Sequence, residues 1–326
     1  MGPVDSADDR RLLATVARRY YLQDASKVQI AQELGLSRFK VARLLTEARD
    51  RGVVRIEIAP QAAVDTALSE QLIEHLGLRH AAVVDVPLFS DDAQAAVHLR
   101  EEIGRTAAVL LHQVLGEGDV LGLPWSRTVS AMVTALETLP RVPVVQLSGA
   151  LTVTDVAATP VDVVREAARL SGGPAHHFYA PLVAADIESA RMMQRQPSVA
   201  GTFAHIDDVT VAVVGIGAWL PGESTIIDLV DAPTAAALTA AGTVGEISGA
   251  FIDAEGNAVD SELAQRLITV SVDQLRAVPH VIGLVTGPSR AGVVRAAVGG
   301  GLVDSLVTDS ELATALLATE PVITRS

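Results

Sequence analysis

Apolar residues recur at helical spacing near the start of the chain and predict three helices. Residues 8–22 carry apolar side chains every three or four positions, which favours a first helix. Residues 26–51 then form two shorter periodic segments on either side of Gly35, where a positive φ can end a helix. Val41 and Leu44 stand three positions apart and are expected to face the preceding segment. The pattern predicts a helix-turn-helix whose second helix enters a DNA major groove.

The polar positions of that second helix carry side chains suited to DNA. Ser37 is a favourable N-cap, and Arg38 and Lys40 lie in the first turn, where such helices meet base edges. The alternative is a helical hairpin whose basic face is exposed to solvent. That interpretation does not explain why the apolar spacing, the glycine and the basic residues occur together. The expected DNA-contacting residues are Lys27, Ser37, Arg38, Phe39, Lys40 and Arg43.

Beyond this segment the pattern of apolar residues changes. Residues 53–59 alternate like a strand, which is either a short wing or a connecting strand, and they complete a predicted DNA-binding domain over residues 1–59. Residues 64–76 then predict an amphipathic helix with Leu68, Leu72 and Leu76 on one face, which leads into the next domain or pairs with a second subunit.

From about residue 79 short β-branched runs alternate with helical stretches. Such alternation predicts a mostly parallel sheet with helices on both faces. The expected fold class is α/β: a small all-α, winged-type helix-turn-helix head, followed by a doubly wound effector-binding and oligomerisation domain over residues 60–326. Ligands of such sheets bind outside the carboxyl ends of the strands.

The distribution of charge separates the two parts of the chain. The net charge is −14, yet residues 1–56 carry 11 Lys and Arg against 7 Asp and Glu, whereas the remainder carries 14 against 32. A basic head can engage phosphates while an acidic body confines DNA contact to the head. The chain has no cysteine and no apolar run long enough for a membrane span, and its polar start does not fit a secretion signal. We therefore expect a cytoplasmic protein without membrane contact.

Several junctions between predicted strands and helices carry candidate ligand contacts. The stretch from Gly122 to Thr128 can aim backbone N–H groups and hydroxyls at an anion or a sugar, or it is an ordinary capped loop. Trp219 can stack on a sugar ring or serve as a packing residue. Glu246 can accept hydrogen bonds from hydroxyls or lie solvated in a turn. Arg290 can hold a phosphate or pair with an acid of the body.

Residue patterns typical of catalysis or of metal and cofactor binding are missing from the sequence. His176 and His177 have no companion at the spacing of metal ligands, and neither a GxSxG elbow nor an HExxH motif occurs. The glycines of residues 214–224 do not meet the GxGxxG spacing of a dinucleotide site. We expect no catalytic residue, no metal and no cofactor.

Taken together, these stretches resemble the SorC family of bacterial sugar-responsive transcriptional regulators. The resemblance runs from about Tyr20 to the C-terminus. In the body it rests on the order of the motifs GLPWSRTVSAMV, VVQLSGA, VGIGAWLPGES, GEISGAFIDAEGN and VIGLVTGPSRAG. It implies an effector domain related to sugar-phosphate isomerases but used for binding, in homodimers or homotetramers on palindromic double-stranded operators. The contacts expected for a small sugar, polyol or sugar-phosphate effector are Gly122, Ser126, Arg127, Thr128, Gln146, Gly149, Trp219, Glu246 and Arg290.

One departure from the family pattern affects the choice of effector. Some relatives hold an aldehyde sugar through a Schiff-base lysine, but no lysine follows Lys40 in this chain. Arg290 is the single cation in a loop where some relatives have lysine, so an uncharged sugar or polyol stays open beside a sugar phosphate.

Two other functions compete with the effector-controlled regulator. One is a sugar-phosphate isomerase-like enzyme fused to a DNA-binding head, against which the missing body lysine and acid/base pair argue. The other is a constitutive DNA-binding structural protein, which leaves a large α/β body without a use.

Overall fold

The computed structural model describes residues 7–23, 25–54, 63–85, 92–151 and 159–322. The chain divides into two compact units, Met1–Pro60 and Gln61–Ser326. The first unit is referred to below as the head and the second as the body.

The head contains three helices, α1 (Ala7–Tyr21), α2 (Lys27–Glu33) and α3 (Arg38–Asp50). Ser26 and Ser37 cap α2 and α3, and each hydroxyl accepts a hydrogen bond from the backbone N–H three residues later. Gly35 has a φ of 65° between these helices, a conformation that favours glycine. The predicted helix-turn-helix is therefore confirmed, and its shared apolar core is formed by Leu13, Val16, Ala17, Ile30, Ala31, Val41, Leu44, Leu45 and Ala48.

The wing strand predicted for residues 53–59 lies mostly outside the described residues. Val53 and Val54 follow α3 in a turn, and Val54 packs against the three-helix core. The N–H of Val54 donates to the carbonyl of Ala48, which closes the end of α3.

The body is built from ten strands and eleven helices within the described residues. The strands are β1 (Ala63–Val64), β2 (His80–Asp85), β3 (Leu121–Leu123), β4 (Val144–Gln146), β5 (Ala175–His176), β6 (Val211–Ala218), β7 (Gly245–Ile247), β8 (Ala250–Ile252), β9 (His280–Leu284) and β10 (Ser305–Asp309). The helices are α4 (Thr66–Leu76), α5 (Asp92–Val114), α6 (Arg127–Ala135), α7 (Pro160–Ser171), α8 (Ile187–Gln194), α9 (Pro197–Phe203), α10 (Ala232–Ala240), α11 (Glu262–Gln265), α12 (Val272–Ala277), α13 (Ala291–Gly299) and α14 (Ser310–Leu317).

One sheet runs through the body in the order β1-β2-β10-β9-β6-β3-β4-β5. All neighbours from β2 to β5 in this order pair in parallel, whereas β1 pairs with β2 in antiparallel fashion. The hairpin of β7 and β8 adds to the far end of β6, also antiparallel. The predicted mostly parallel α/β sheet is therefore confirmed.

Side chains of the central strands alternate between two apolar cores, one on each face of the sheet. Val211 and Val213 of β6 join the core formed with α5, α6 and α7. Ala212 and Val214 point to the opposite face and join the core formed with α4, α12, α13 and α14. Burial on both faces explains why these strands read as continuous apolar runs in the sequence.

The order of the strands reverses in the middle of this sheet. β3, β4 and β5 lie progressively farther to one side, and the chain then returns to place β6 on the other side of β3. β9 and β10 continue outward from β6. Loops after β3 and β6 therefore diverge to opposite faces and leave a crevice between them, which is where such sheets bind ligands.

One of the two roles expected for the face of α4 needs correction. Leu72 and Leu76 of α4 are fully buried in the body's own core and Leu68 packs against it, so this face is not a free subunit interface. At the edge of the sheet, only Ala175–His176 pairs with β4. Among the described residues, no helix combines the length and the apolarity needed to cross a bilayer.

Candidate functional site

A cleft with a volume of about 170 Å³ opens at the carboxyl ends of the central strands. Its lining comes from the loops after β3, β4, β6 and β9, from the β7–β8 hairpin and from one side chain of α5. Elements far apart in sequence thus meet where the strand order reverses, which makes this cleft the candidate effector site.

Two glycines of β6 make room for polar groups at this end of the sheet. A Cβ atom on Gly217 would lie 2.6 Å from Oε1 of Glu246, the residue that pairs with Gly217 across the strands. A Cβ atom on Gly215 would lie 2.9 Å from Cβ of Ser126. Any side chain at either position would therefore displace a residue that lines the cleft.

Glu246 brings a carboxyl group with unusual acidity to the cleft. Its Oε2 atom accepts a hydrogen bond of 2.7 Å from the N–H of Gly249. Burial raises the pKa of Glu246 to about 7, although the bond from Gly249, the charge of Arg290 and a hydrogen bond with Ser224 all oppose the rise. Near neutral pH this carboxyl can therefore accept or donate a hydrogen bond to a ligand hydroxyl.

Ser248 lies in the tight turn between β7 and β8 and also lines the cleft. Its φ of 56° is the one positive value of a non-glycine residue among the described residues. Its buried hydroxyl has no hydrogen-bond partner in the described part of the chain, while its carbonyl accepts from the Thr269 hydroxyl at 2.6 Å. Strained residues and unpaired polar groups concentrate at binding sites, so Ser248 joins the candidate contacts.

Arg290 also lines the cleft, but its charge is already paired. Its Nη1 atom lies 2.7 Å from Oε2 of Glu223, and its guanidinium donates further hydrogen bonds to the carbonyls of Thr286 and Glu223. Of the two roles expected for Arg290, the structure has the one in which it pairs with an acid of the body. This ion pair also fixes the loop after β6 against the loop after β9.

Two other arginines line the cleft without such a partner. Arg100 projects from the middle of α5, and Arg127 is the first residue of α6. Neither guanidinium has an ion-paired or hydrogen-bonded acceptor among the described residues. Burial and the nearby charge of Arg127 lower the pKa of Arg100, an effect that the charge of Glu101 opposes.

Three residues expected to contact the effector do not line the cleft. Gln146 is only 1% exposed, and both ends of its amide are engaged by the carbonyl of Ser148 and the N–H of Phe178. Gly122 lies inside β3, where a Cβ atom would lie 2.8 Å from Val209, so its role is close packing. The third residue, Trp219, also lies outside the lining of the cleft.

Trp219 takes the packing role of its two expected alternatives. It is 5% exposed, and its ring meets Phe251 edge-on at a centroid distance of 5.2 Å. Its Nε1–H donates to the Thr239 hydroxyl at 3.2 Å, which satisfies its single polar group. No face of this ring is left for a sugar.

The remaining expected contacts are brought together, although they come from four separate loops or turns. They are Ser126, Arg127, Thr128, Gly149, Glu246 and Arg290. Ser126 additionally caps α6, since its hydroxyl accepts from the N–H of Val129 at 3.0 Å. Sequence reasoning missed Arg100, Glu223, Ser224 and Ser248, and Ser148 lines the cleft as well.

In the head, the residues expected to contact DNA lie on α3, at its N-cap and on α2. Arg38, Phe39 and Arg43 are exposed, Phe39 at 87%, whereas Lys40 is half-buried. Ser37 caps the helix through a 3.1 Å hydrogen bond from the N–H of Lys40. On α2, Lys27 is half-buried, and its ammonium lies 5.5 Å from the centre of the Tyr20 ring.

Metal-binding geometry is not found in the described ranges, where no three His, Asp or Glu side chains could hold an ion together. The His176 ring instead lies against the ring of His205 at a centroid distance of 3.8 Å. Burial and the His205 charge lower the pKa of His176, although Asp208 opposes this effect.

The sequence matches a protein family over most of its length and several named relatives over nearly all of it. Residues 61–318 match the family described as "Putative sugar-binding domain". The chain is 26% identical to the sorbitol operon regulator of Klebsiella pneumoniae, over 96% of this chain and 100% of that protein. It is 30% identical to the transcriptional regulator LsrR of Enterobacter sp. (strain 638), over 95% and 94% of the two chains. The chain belongs to the SorC family of transcriptional regulators.

The solved structures agree with this assignment. The full-length sorbitol operon regulator SorC of Klebsiella pneumoniae superposes with a TM-score of 0.69 at 26% identity, covering 95% of this chain and 100% of that one. The relatives named here are regulators, not enzymes. This SorC-family protein is therefore a transcriptional regulator with a sugar-binding domain, and the isomerase-like enzyme is set aside.

The raised pKa of Glu246 predicts how the stability of this SorC-family regulator depends on pH. An unfolded glutamate releases its proton near its ordinary value of 4.5, whereas Glu246 in the folded chain releases it at about 7. The folded state binds more protons between these values, so this carboxyl lowers stability as pH rises from about 4.5 to about 7. Glu246→Gln removes this loss. The melting temperature of the variant minus that of the wild type should rise across this interval and stay constant above it.

Differential scanning calorimetry from about pH 5 to about pH 8 measures this difference. Glu255→Gln, at an exposed turn, is the matched control for the loss of one carboxylate. A pH-independent difference for Glu246→Gln would show that this carboxyl titrates normally.

Proposed function

We propose that this regulator binds operator DNA through α3 and that a small sugar, polyol or sugar phosphate in the cleft controls this binding. The observation that carries the proposal is the convergence of hydroxyl, carboxyl and guanidinium groups at the point where the strand order reverses. A pocket with a few convergent polar groups at that point is where ligands of such sheets bind.

The groups in the cleft match the chemistry of a polyhydroxy ligand. Ser126, Thr128 and Ser148 offer hydroxyls, which can donate or accept, and Glu246 can do the same near its pKa of about 7. Among the relatives, one is named a sorbitol operon regulator and another, from Bacillus subtilis (strain 168), a deoxyribonucleoside regulator. These names support a sugar or polyol as the class of effector.

The DNA-binding part of the proposal rests on the head. Its helix-turn-helix exposes Arg38, Phe39 and Arg43 on one helix, and the net negative charge of the body repels the DNA backbone. A single helix covers few base pairs, and two heads joined in one oligomer gain affinity through effective concentration. We therefore propose a homodimer or homotetramer on a palindromic operator, located in the cytoplasm with the DNA.

Control by the ligand requires a difference in affinity between two states. An effector shifts the paired heads only if it binds one of their arrangements more tightly than the other. The loops after β3, β6 and β9 all line the cleft, so a bound ligand contacts several separate segments of the body at once. A constitutive DNA-binding structural protein would lack such a coupling.

Substitution of arginine and lysine in the first turn of α3 tests the DNA-binding proposal. Arg38→Ala and Lys40→Ala should each weaken operator binding by about 1–3 kcal/mol if the side chain contacts a base edge. Arg49→Ala removes the same charge at the opposite end of α3, about 16 Å away, and should cost less. Fluorescence anisotropy with operator and scrambled DNA measures the effect, and unchanged binding in both first-turn variants would exclude α3 as the reading helix.

Removal of one cleft hydroxyl tests the effector proposal. A thermal-shift screen of sugars, polyols and their phosphates first identifies a ligand that raises the melting temperature. Thr128→Val should then raise the dissociation constant of that ligand about two- to tenfold, because the substitution removes one hydrogen bond and leaves the side-chain volume nearly unchanged. Thr134→Val is the matched control on the same helix, since its exposed hydroxyl bonds only to the Ser130 carbonyl.

Calorimetric titration of both variants measures the two dissociation constants. Equal affinities for Thr128→Val and wild type would remove Thr128 from the site. If no compound in the panel stabilises the wild type or changes its operator affinity, the effector proposal itself is wrong.

A further inference from the structure

The face of α3 that points away from the core of the head carries a large apolar side chain. The face that packs against α1 and α2 is formed by Val41, Leu44, Leu45 and Ala48. Since an α-helix has about 3.6 residues per turn, Phe39, Arg43 and Thr46 share the opposite face at spacings of four and three. All three are exposed. Phe39 is therefore presented, together with one cation and one hydroxyl, to the molecule that α3 meets.

The Phe39 side chain contributes little to the fold of the head. It is 87% exposed, the highest value among the large apolar residues that the structure describes. Within the described part of the head, it joins neither the three-helix core nor a pair of contacting rings. Aromatic rings bury large apolar areas at interfaces, so the free energy of burying this ring is still available to a partner.

The charge around Phe39 indicates which kind of partner fits it. Arg38 and Lys40 flank it in the first turn, Arg43 follows one turn later, and residues 37–43 contain no acid. The acids of α3 lie in its second half. An apolar ring surrounded by cations complements an anionic surface with apolar points, which describes DNA better than the centre of a protein–protein interface, where charged residues are depleted.

The major groove of unmodified DNA offers one kind of apolar group, the 5-methyl group of thymine. The base edges otherwise present hydrogen-bond donors and acceptors there, and a phenyl ring has no group that pairs with them. Phe39 is the second residue of α3, and the N-terminal residues of such helices contact base edges. On the proposed docking of α3, the chemistry of this side chain therefore fits thymine.

We propose that Phe39 selects thymine in the operator by packing its ring against the 5-methyl group of that base. This inference rests on the proposed function, in which α3 enters the major groove. It differs from the contacts expected of Arg38 and Lys40, because cations bind phosphates and guanine edges and do not recognise a methyl group. The operator therefore contains a thymine whose methyl group contributes to affinity.

Deoxyuridine tests this assignment, because it differs from thymidine only by the missing methyl group. The full chain first selects its operator from a randomised duplex library, and duplexes are then made with one thymine at a time replaced by deoxyuridine. At one position in a half-site, the replacement should raise the dissociation constant of the wild type about three- to fivefold, as expected for one buried methyl group. Fluorescence anisotropy measures each constant.

Substitution of the ring should remove this discrimination. Phe39→Ala should raise the dissociation constant for the thymine operator about tenfold and should bind the thymine and deoxyuridine duplexes equally. Its melting temperature should match the wild type, because the ring lies outside the core. The salt dependence of binding should also stay the same, since the ring neutralises no phosphate. Leu22→Ala is the matched control: Leu22 is 77% exposed in the same head but outside α3, so this variant should keep the preference for thymine.

The possible results separate this inference from the proposed function. If the wild type enriches no sequence from the library, α3 does not read DNA and both proposals are wrong. If an operator is selected but no deoxyuridine replacement weakens wild-type binding, the DNA-binding proposal stands and the role of Phe39 is wrong. That role is equally wrong if Phe39→Ala binds as the wild type does. It is also wrong if Phe39→Ala weakens binding to both duplexes by the same factor, which would place the ring against another head or the sugar–phosphate backbone.

Discussion

β3 and β6 lie side by side in the sheet although residues 124–210 separate them in sequence. Parallel strands at such a reversal send their following loops to opposite faces, and the space between the loops has to be filled or left open. Here the loop after β3 carries hydroxyls and Arg127, and the loop after β6 carries Glu223 and Ser224. Every residue of the candidate effector site depends on this one reversal, because it is what brings four loops to the same edge.

The polar groups at this edge differ in how many of their hydrogen bonds and charges are already paired within the chain before a ligand binds. Gln146 and Trp219 have their hydrogen bonds filled by the chain itself, and both act as supports. The charge of Arg290 is balanced by the carboxylate of Glu223. The buried hydroxyl of Ser248 is left without a partner within the described residues, at a cost in stability that a ligand can recover.

Whether a feature could be predicted from the sequence depends on how far apart along the chain its interacting residues lie. The helix-turn-helix depends on local spacing, caps and one glycine, all of which are visible along the chain. The parallel sheet could be predicted because buried strands have apolar runs. The state of Gln146 could not, since its partner Phe178 lies 32 residues away. Arg100 sits in the middle of a helix without any motif, and only the packing of α5 on α6 brings it to Arg127.

The central claim is that ligand occupancy of the cleft changes the affinity of the paired heads for DNA. The most direct test measures the operator dissociation constant of the full chain with and without a saturating effector, together with the effector's dissociation constant with and without operator. Thermodynamic linkage requires that effector and operator change each other's dissociation constant by the same factor. Factors of about five- to 150-fold are typical of allosteric coupling. We expect the two factors to be equal and at least about fivefold. An operator affinity that stays constant while the cleft is filled would contradict it.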